Sequence, residues 1–294
     1  YQTRVGHPGL SFYTGLYHAS IKLLAANYFV MKPIVSILVI IILLAAAFFA
    51  VNNYIYEEKQ GNGTEVPPPL VVKTEEVAYF SDAVGFLAEP EFPGDYPGVV
   101  MIHENRGLRP EIKEAAEELA ASGYRVLAGG LFKGKVMDTQ EEARAYSSEY
   151  DRELGVANMQ AAAEFLRQRG AAKIASLGWC FGGAESLSLS LSGEDIDATI
   201  IYYGRLTDDL ESLAQLSSPV LGIFGSTDQV VPVESVSKFE QNLEYLGIDS
   251  EIHIYEGVGH AFANPSNPNF APVETADAWQ KTLSFLAANL KSQN

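Results

Sequence analysis

The chain predicts an α/β domain, a mostly parallel sheet with helices on both faces, preceded by an N-terminal apolar membrane helix. Three observations carry that expectation. Short, unbroken apolar runs such as Val99-Val100-Met101-Ile102 and Val220-Leu221-Gly222-Ile223-Phe224 have the character of strands buried on both faces. They alternate with helical stretches, the order that parallel strands with crossover helices require. Ahead of them, nineteen residues from Pro33 to Val51 run without a charge, and about 20 apolar residues suffice to span a bilayer.

The N-terminal region divides by composition. Residues 1–30 begin with Tyr1 and precede Met31-Lys32, which reads as an initiator followed by a positive n-region. They are taken as a non-native or upstream segment, and His7 and His18 within them receive no functional weight. Residues 31–52 are a membrane anchor or a signal peptide. Ala45-Ala46-Ala47 offers a small-residue cleavage site, while the length of the apolar run favours a retained anchor. Residues 53–69 form a polar linker closing on the stiff Pro67-Pro68-Pro69. Residues 70–294 are the folded domain, expected outside the cytoplasm, anchored or secreted; the cytoplasmic orientation stays open.

Within the domain, Val71 to Phe80 and Val84 to Leu87 open as strands, and Pro97-Gly98 punctuates before the strand through Ile102. Pro110 starts a helix over Glu111 to Ala121, which Gly123 ends, and Tyr124 to Leu127 follows as a strand. Thr139 to Arg169 reads as a long helical stretch with a break near Gly155. Ile174 to Leu177 is a strand that runs into a glycine-rich turn and another helix. Ala198 to Tyr202 and Val220 to Phe224 are strands, Val233 to Leu246 a helix, Glu251 to Tyr255 the last strand, and about Glu274 to Leu290 the closing helix. Sheets of this kind bind ligands beyond the carboxyl ends of their strands.

Composition narrows the partners. With 47% hydrophobic and 19% charged residues the chain is globular. A formal charge of −17 argues against nucleic acid, whose phosphates call for clustered Lys and Arg, and leaves the N-terminal helix as the only expected membrane contact. One cysteine allows no disulfide within the chain. No metal-ligand cluster, phosphate loop or dinucleotide signature stands out, so neither metal nor cofactor is expected. No pattern in the chain speaks to oligomeric state.

That one cysteine, Cys180, lies in Gly178-Trp179-Cys180-Phe181-Gly182-Gly183, directly after a strand. A G-x-nucleophile-x-G turn forces a strand sharply into a helix and exposes the central side chain. Asp228, in Gly225-Ser226-Thr227-Asp228, and His260, in Gly257-Val258-Gly259-His260, each follow a later strand. An Asp after a strand is often only a turn residue, but nucleophile, acid and histidine in that order match the α/β-hydrolases. His260 would accept the Cys180 proton and Asp228 would orient the imidazole. The backbone N–H groups of Phe181 and Asn105 would form the oxyanion hole.

Together, Met101-Ile102-His103-Glu104-Asn105-Arg106-Gly107, the cysteine turn, Tyr202-Tyr203-Gly204 and Gly259-His260-Ala261-Phe262 resemble the dienelactone hydrolase family of the α/β-hydrolase superfamily, over roughly residues 70–290. The resemblance implies a hydrolase of carboxylic esters or lactones, carboxymethylenebutenolidase-like, acting through an acyl-thioester on a small-molecule substrate. It implies that Glu104 contacts the nucleophile and that its movement helps generate the thiolate. Two arginines that hold a substrate carboxylate in the family are not matched. One loop reads Gly129-Gly130-Leu131-Phe132-Lys133-Gly134-Lys135, and Asn264 stands four residues past His260. Phe132, Tyr203, Arg106, Phe262 and Asn264 are the expected pocket residues. A second reading is a membrane-tethered binding or redox-sensor domain on a hydrolase scaffold.

Overall fold

A computed structural model describes residues 68–291; the upstream segment, the apolar helix and nearly all of the linker expected before them lie outside the described residues. Strands β1 (Val72–Phe80) and β2 (Ala83–Pro90) form a hairpin, followed by β3 (Gly98–Ile102), α1 (Pro110–Ala121) and β4 (Arg125–Ala128). Helices α2 (Gln140–Ser148) and α3 (Arg152–Gln168) lead to β5 (Ile174–Trp179) and α4 (Phe181–Leu191). Then come β6 (Ala198–Tyr202), the short α5 (Leu210–Leu213), β7 (Val220–Gly225), α6 (Val233–Leu246), β8 (Ser250–Tyr255) and α7 (Pro272–Leu290). The eight strands lie in the order β1-β2-β4-β3-β5-β6-β7-β8. Only β2 runs against its neighbours; every pair from β4 to β8 is parallel. Among the described residues no helix is long and apolar enough to cross a membrane.

The strand sequences show why the sheet is covered twice. In β3, Val99 and Met101 pack with Ile112, Ala116 and Leu119 of α1, in a core that also takes Ala278, Phe285 and Leu286 of α7. The alternate residues Val100 and Ile102 face Met159, Ala162 and Leu166 of α3 on the other side. Further along the sheet Val220 and Phe224 of β7 meet Val236, Phe239 and Leu243 of α6. Successive side chains of a strand point to opposite faces, so continuous apolar runs belong where helices lie on both.

One expectation needs correction. The long helical stretch breaks before Gly155, at Glu149–Asp151, where Asp151 caps α3 by accepting from the Leu154 N–H at 3.0 Å. Gly155 lies inside the first turn of α3, where a side chain would collide with the Tyr150 ring.

Helix α4 meets the sheet through hydroxyls as well as hydrocarbon. Ser176 of β5 is linked to Ser186 at 2.8 Å, Ser190 to Thr199 of β6 at 2.6 Å, and Thr199 to Ser218 at 2.7 Å, all buried. Ser176 also lies 3.3 Å from Ser190, which joins these hydroxyls into one continuous chain; each can donate once and accept twice, so none is left unpaired. Thr199→Val keeps the shape and orphans two of its neighbours' bonds. It should lower stability by about 1–3 kcal/mol, measured by urea denaturation; an unchanged midpoint would show that the chain carries no structural weight.

Candidate active site

Cys180 sits between β5 and α4 at the carboxyl end of the sheet, with φ 54°. A non-glycine residue there is strained, and the neighbourhood must hold it. The Cys180 N–H donates to the Tyr202 carbonyl at 2.9 Å, fixing the turn to the end of β6. A Cβ at Gly178 would collide with the Gly182 carbonyl, and one at Gly182 with the Ile102 and His103 carbonyls. The two glycines therefore let the start of α4 lie against the ends of β5 and β3. Tyr203 (φ 37°) and Ala261 (φ 60°), each beside another site residue, share this left-handed strain.

His260 Nε2 is 3.1 Å from Cys180 Sγ, and His260 Nδ1 is 2.8 Å from Asp228 Oδ2. Asp228 is buried, and its second oxygen accepts from the N–H groups of Val230 at 2.7 Å and Val231 at 3.0 Å. Burial pushes its carboxyl up, but the imidazole and those backbone donors outweigh it and hold the group below the ordinary carboxylate range. For His260 burial acts the other way, and the hydrogen bonds to Asp228 and Cys180 overcome it, raising the imidazole well above its usual value. Asn269 Nδ2 donates to the His260 carbonyl at 3.0 Å. Thr227 N–H donates to the Val258 carbonyl at 3.0 Å, tying the acid loop to the histidine loop. A thiol, an imidazole and a carboxylate in line can move a proton from Sγ to Nε2 and stabilise the ion pair that results.

Glu104 follows β3 in a turn closed by the Gly107 N–H on its carbonyl at 3.1 Å. The Asn105 N–H lies at the centre of that turn, and Phe181, as the first residue of α4, has an N–H with no intrahelical acceptor. Close packing at Gly182 brings the start of α4 against the end of β3. The Glu104 carboxyl accepts from the Tyr203 hydroxyl at 3.4 Å and from Asn264 Nδ2. Loss of water around it pushes it up to about 7, although the Asn264 bond and nearby His260 oppose that rise. The hydrogen bond of Cys180 goes to His260, and those of Glu104 come from Tyr203 and Asn264.

The expected pocket residues divide. Tyr203 and Asn264 stand in the site as partners of Glu104. Phe132 and Phe262 are 1% and 0% exposed and are corrected to core: Phe132 packs edge-on to His103 at 4.6 Å, and Phe262 lies 5.7 Å from Tyr203 and 5.3 Å from Tyr255. Both support the walls of the site from behind. Arg106 spends its guanidinium on the Met137 and Asp138 carbonyls, pinning the loop before α2. His103 is buried, its Nδ1 2.6 Å from the Glu104 carbonyl, and burial pushes it down to about 4. It stays neutral. Asn269, which the sequence reading passed over, is the clearest addition; its contact with His260 comes from a loop with no local motif. Among the described residues no group of three or more His, Cys, Asp or Glu is placed to hold a metal ion.

The model of the Dienelactone hydrolase family matches residues 84–290. A protein of Saccharolobus solfataricus carrying a provisional carboxymethylenebutenolidase name is 30% identical over 254 residues, covering 72% of this chain and 97% of that one. Two solved structures share the fold. A dienelactone hydrolase-like promiscuous phosphotriesterase from metagenomic libraries is 24% identical with a TM-score of 0.67, covering 74% of this chain and 98% of its own. The dienelactone hydrolase of Anabaena variabilis is 20% identical with a TM-score of 0.55, covering 75% and 99%.

The Asp228–His260 bond has a direct readout. Asp228→Asn removes the charge and keeps the shape, so His260 should titrate at lower pH than in the parent protein, followed through its imidazole resonances by NMR. An unmoved titration would show that the carboxylate does not govern the ring.

Proposed function

Because the chain belongs to the dienelactone hydrolase family, we propose that it is a carboxylic ester or lactone hydrolase working through Cys180, His260 and Asp228. The observation that carries this reading is the in-line relay of 3.1 Å and 2.8 Å from thiol to imidazole to carboxylate. His260 takes the Cys180 proton, and Sγ attacks the carbonyl carbon as the C=O electron pair moves to oxygen. The N–H groups of Phe181 and Asn105 receive that oxyanion. Its collapse expels the alcohol, which leaves with the proton from His260, and an acyl-thioester remains on Cys180. A water molecule, deprotonated by His260, then releases the acid and restores the thiol.

The N-terminal apolar run supports an enzyme tethered to or exported across a membrane, with the domain outside the cytoplasm. A binding or redox-sensing role would leave the relay without use, and no observation favours it.

Cys180→Ala should lower kcat/KM on small activated esters and lactones by at least ~10³-fold, measured with chromogenic substrates. Retained activity would sink the assignment. Trapping with a slow ester should add one acyl group to the wild-type protein and none to the variant, read by intact mass.

Glu104 gives a second test. Its carboxyl titrates near 7, so it is neutral below that pH and gains its charge beside the nucleophile above it. A charge there disfavours the thiolate and the oxyanion alike. Activity on an uncharged ester should therefore fall as pH rises through 7 in the wild type, and Glu104→Gln should abolish that fall in the pH profile of kcat/KM.

A further inference from the structure

We propose that His103 is a positioning residue for the reaction: its buried ring fixes the direction of the Asn105 N–H, one of the two donors that receive the oxyanion. This rests on the hydrolase reading above and adds a side chain that acts through the backbone rather than on the substrate. The geometry is that of a single peptide plane. The Glu104 carbonyl and the Asn105 N–H belong to one peptide bond, and that bond is trans. In a planar trans peptide the two groups point in opposite directions, so whatever holds the oxygen aims the hydrogen. Two donors hold this oxygen. The Gly107 N–H reaches it at 3.1 Å, and His103 Nδ1 lies 2.6 Å from it. The Asn105 N–H itself finds no acceptor among the described residues. Accepting two hydrogen bonds at the oxygen also polarises the peptide and makes its N–H the stronger donor.

A carbonyl can only accept, so the His103 proton sits on Nδ1. The rest of the ring agrees. Nε2 is buried without a partner, Phe132 lies edge-on at 4.6 Å, and Phe181 lies along the ring at 6.2 Å. A proton on Nε2 would be left among hydrocarbon with no acceptor. Loss of water pushes the imidazole down to about 4, so at neutral pH it is one fixed, uncharged donor. The same residue also reaches the second oxyanion donor. Its ring is stacked on that of Phe181, with 17° between the planes, and its carbonyl is among the atoms that a Cβ at Gly182 would strike. His103 thus touches both segments that supply the donors, the turn after β3 by a hydrogen bond and the start of α4 by its ring. At 1% exposed it does not meet the substrate itself. A ring that served packing alone would need no proton at Nδ1.

Two substitutions separate the donor from the bulk. His103→Leu removes the N–H and keeps an apolar side chain among the rings. His103→Asn is smaller, but its amide keeps an N–H at the same distance from the backbone. With p-nitrophenyl acetate, His103→Leu should lower kcat at least about tenfold, part of the roughly 10²–10³-fold lost with a whole oxyanion donor, while KM stays within about threefold. His103→Asn should recover most of that loss although it leaves the larger void and has the lower urea midpoint. Activity and stability then run in opposite orders, which a packing role cannot produce. Wild-type kcat in His103→Leu overturns the proposal, and so does an equal loss in the two variants. Should either variant not fold, the wild-type protein decides alone: its ring nitrogen resonances must show His103 as the Nδ1–H tautomer, and an Nε2–H tautomer overturns the proposal. A wild-type protein that hydrolyses no ester overturns the hydrolase reading and this role with it, whereas turnover indifferent to His103 leaves that reading standing.

Discussion

Everything at the site depends on holding the backbone of Cys180 at a positive φ. Such a conformation costs of order 1–3 kcal/mol for a residue with a side chain, so it persists only where neighbouring structure leaves no alternative. The parallel register supplies one constraint, since β5 is bonded to β3 on one side and β6 on the other. The close approach at Gly178 and Gly182 supplies the next, and the hydroxyl chain from Ser176 to Ser218 keeps α4 seated while its first turn is under strain. A strained turn resting on a central strand cannot relax without disturbing the sheet.

From that fixed point the site keeps two carboxyl groups in different states. Asp228 is buried, yet two backbone N–H groups and an imidazole hold it charged. Glu104 is stripped of water too but has only a hydroxyl and an amide for partners, and its proton is held to about 7. Burial alone does not set the charge of an acid; the number and sign of the groups donating to it decide. One carboxylate is thereby reserved for the histidine, and the other stays close to neutral beside the thiol.

The parts of this arrangement that could be read along the chain are those encoded locally. Val99–Ile102 and Val220–Phe224 announce buried strands because both faces of each are covered by helices. Cys180, Asp228 and His260 announce themselves because each follows a strand and the turns around them need glycine. The break between α2 and α3 was less legible, since Gly155 looks like the interruption while the cap of Asp151 and the bulk of Tyr150 set it. Phe132 and Phe262 were placed in the pocket because they flank the right segments, but which way a ring turns is decided by packing partners far away in the chain. The partners of Glu104 are the extreme case: Tyr203 and Asn264 are 99 and 160 residues distant from it in sequence, and no spacing rule reaches that far.

The loop beyond His260 brings one more consequence. Asn269 holds the carbonyl of His260, and Asn264 N–H is bonded to the Ala261 carbonyl at 3.1 Å, so the residue that faces Glu104 and the imidazole that faces Cys180 share one short, braced segment of backbone. The partner of Glu104 and the partner of Cys180 are therefore not separate modules in which one can drift while the other stays fixed. A substitution that altered this loop at Asn264 would also move the His260 ring, so tolerated changes here should come in compensated pairs rather than singly. The brace turns a chemical adjacency into an evolutionary coupling.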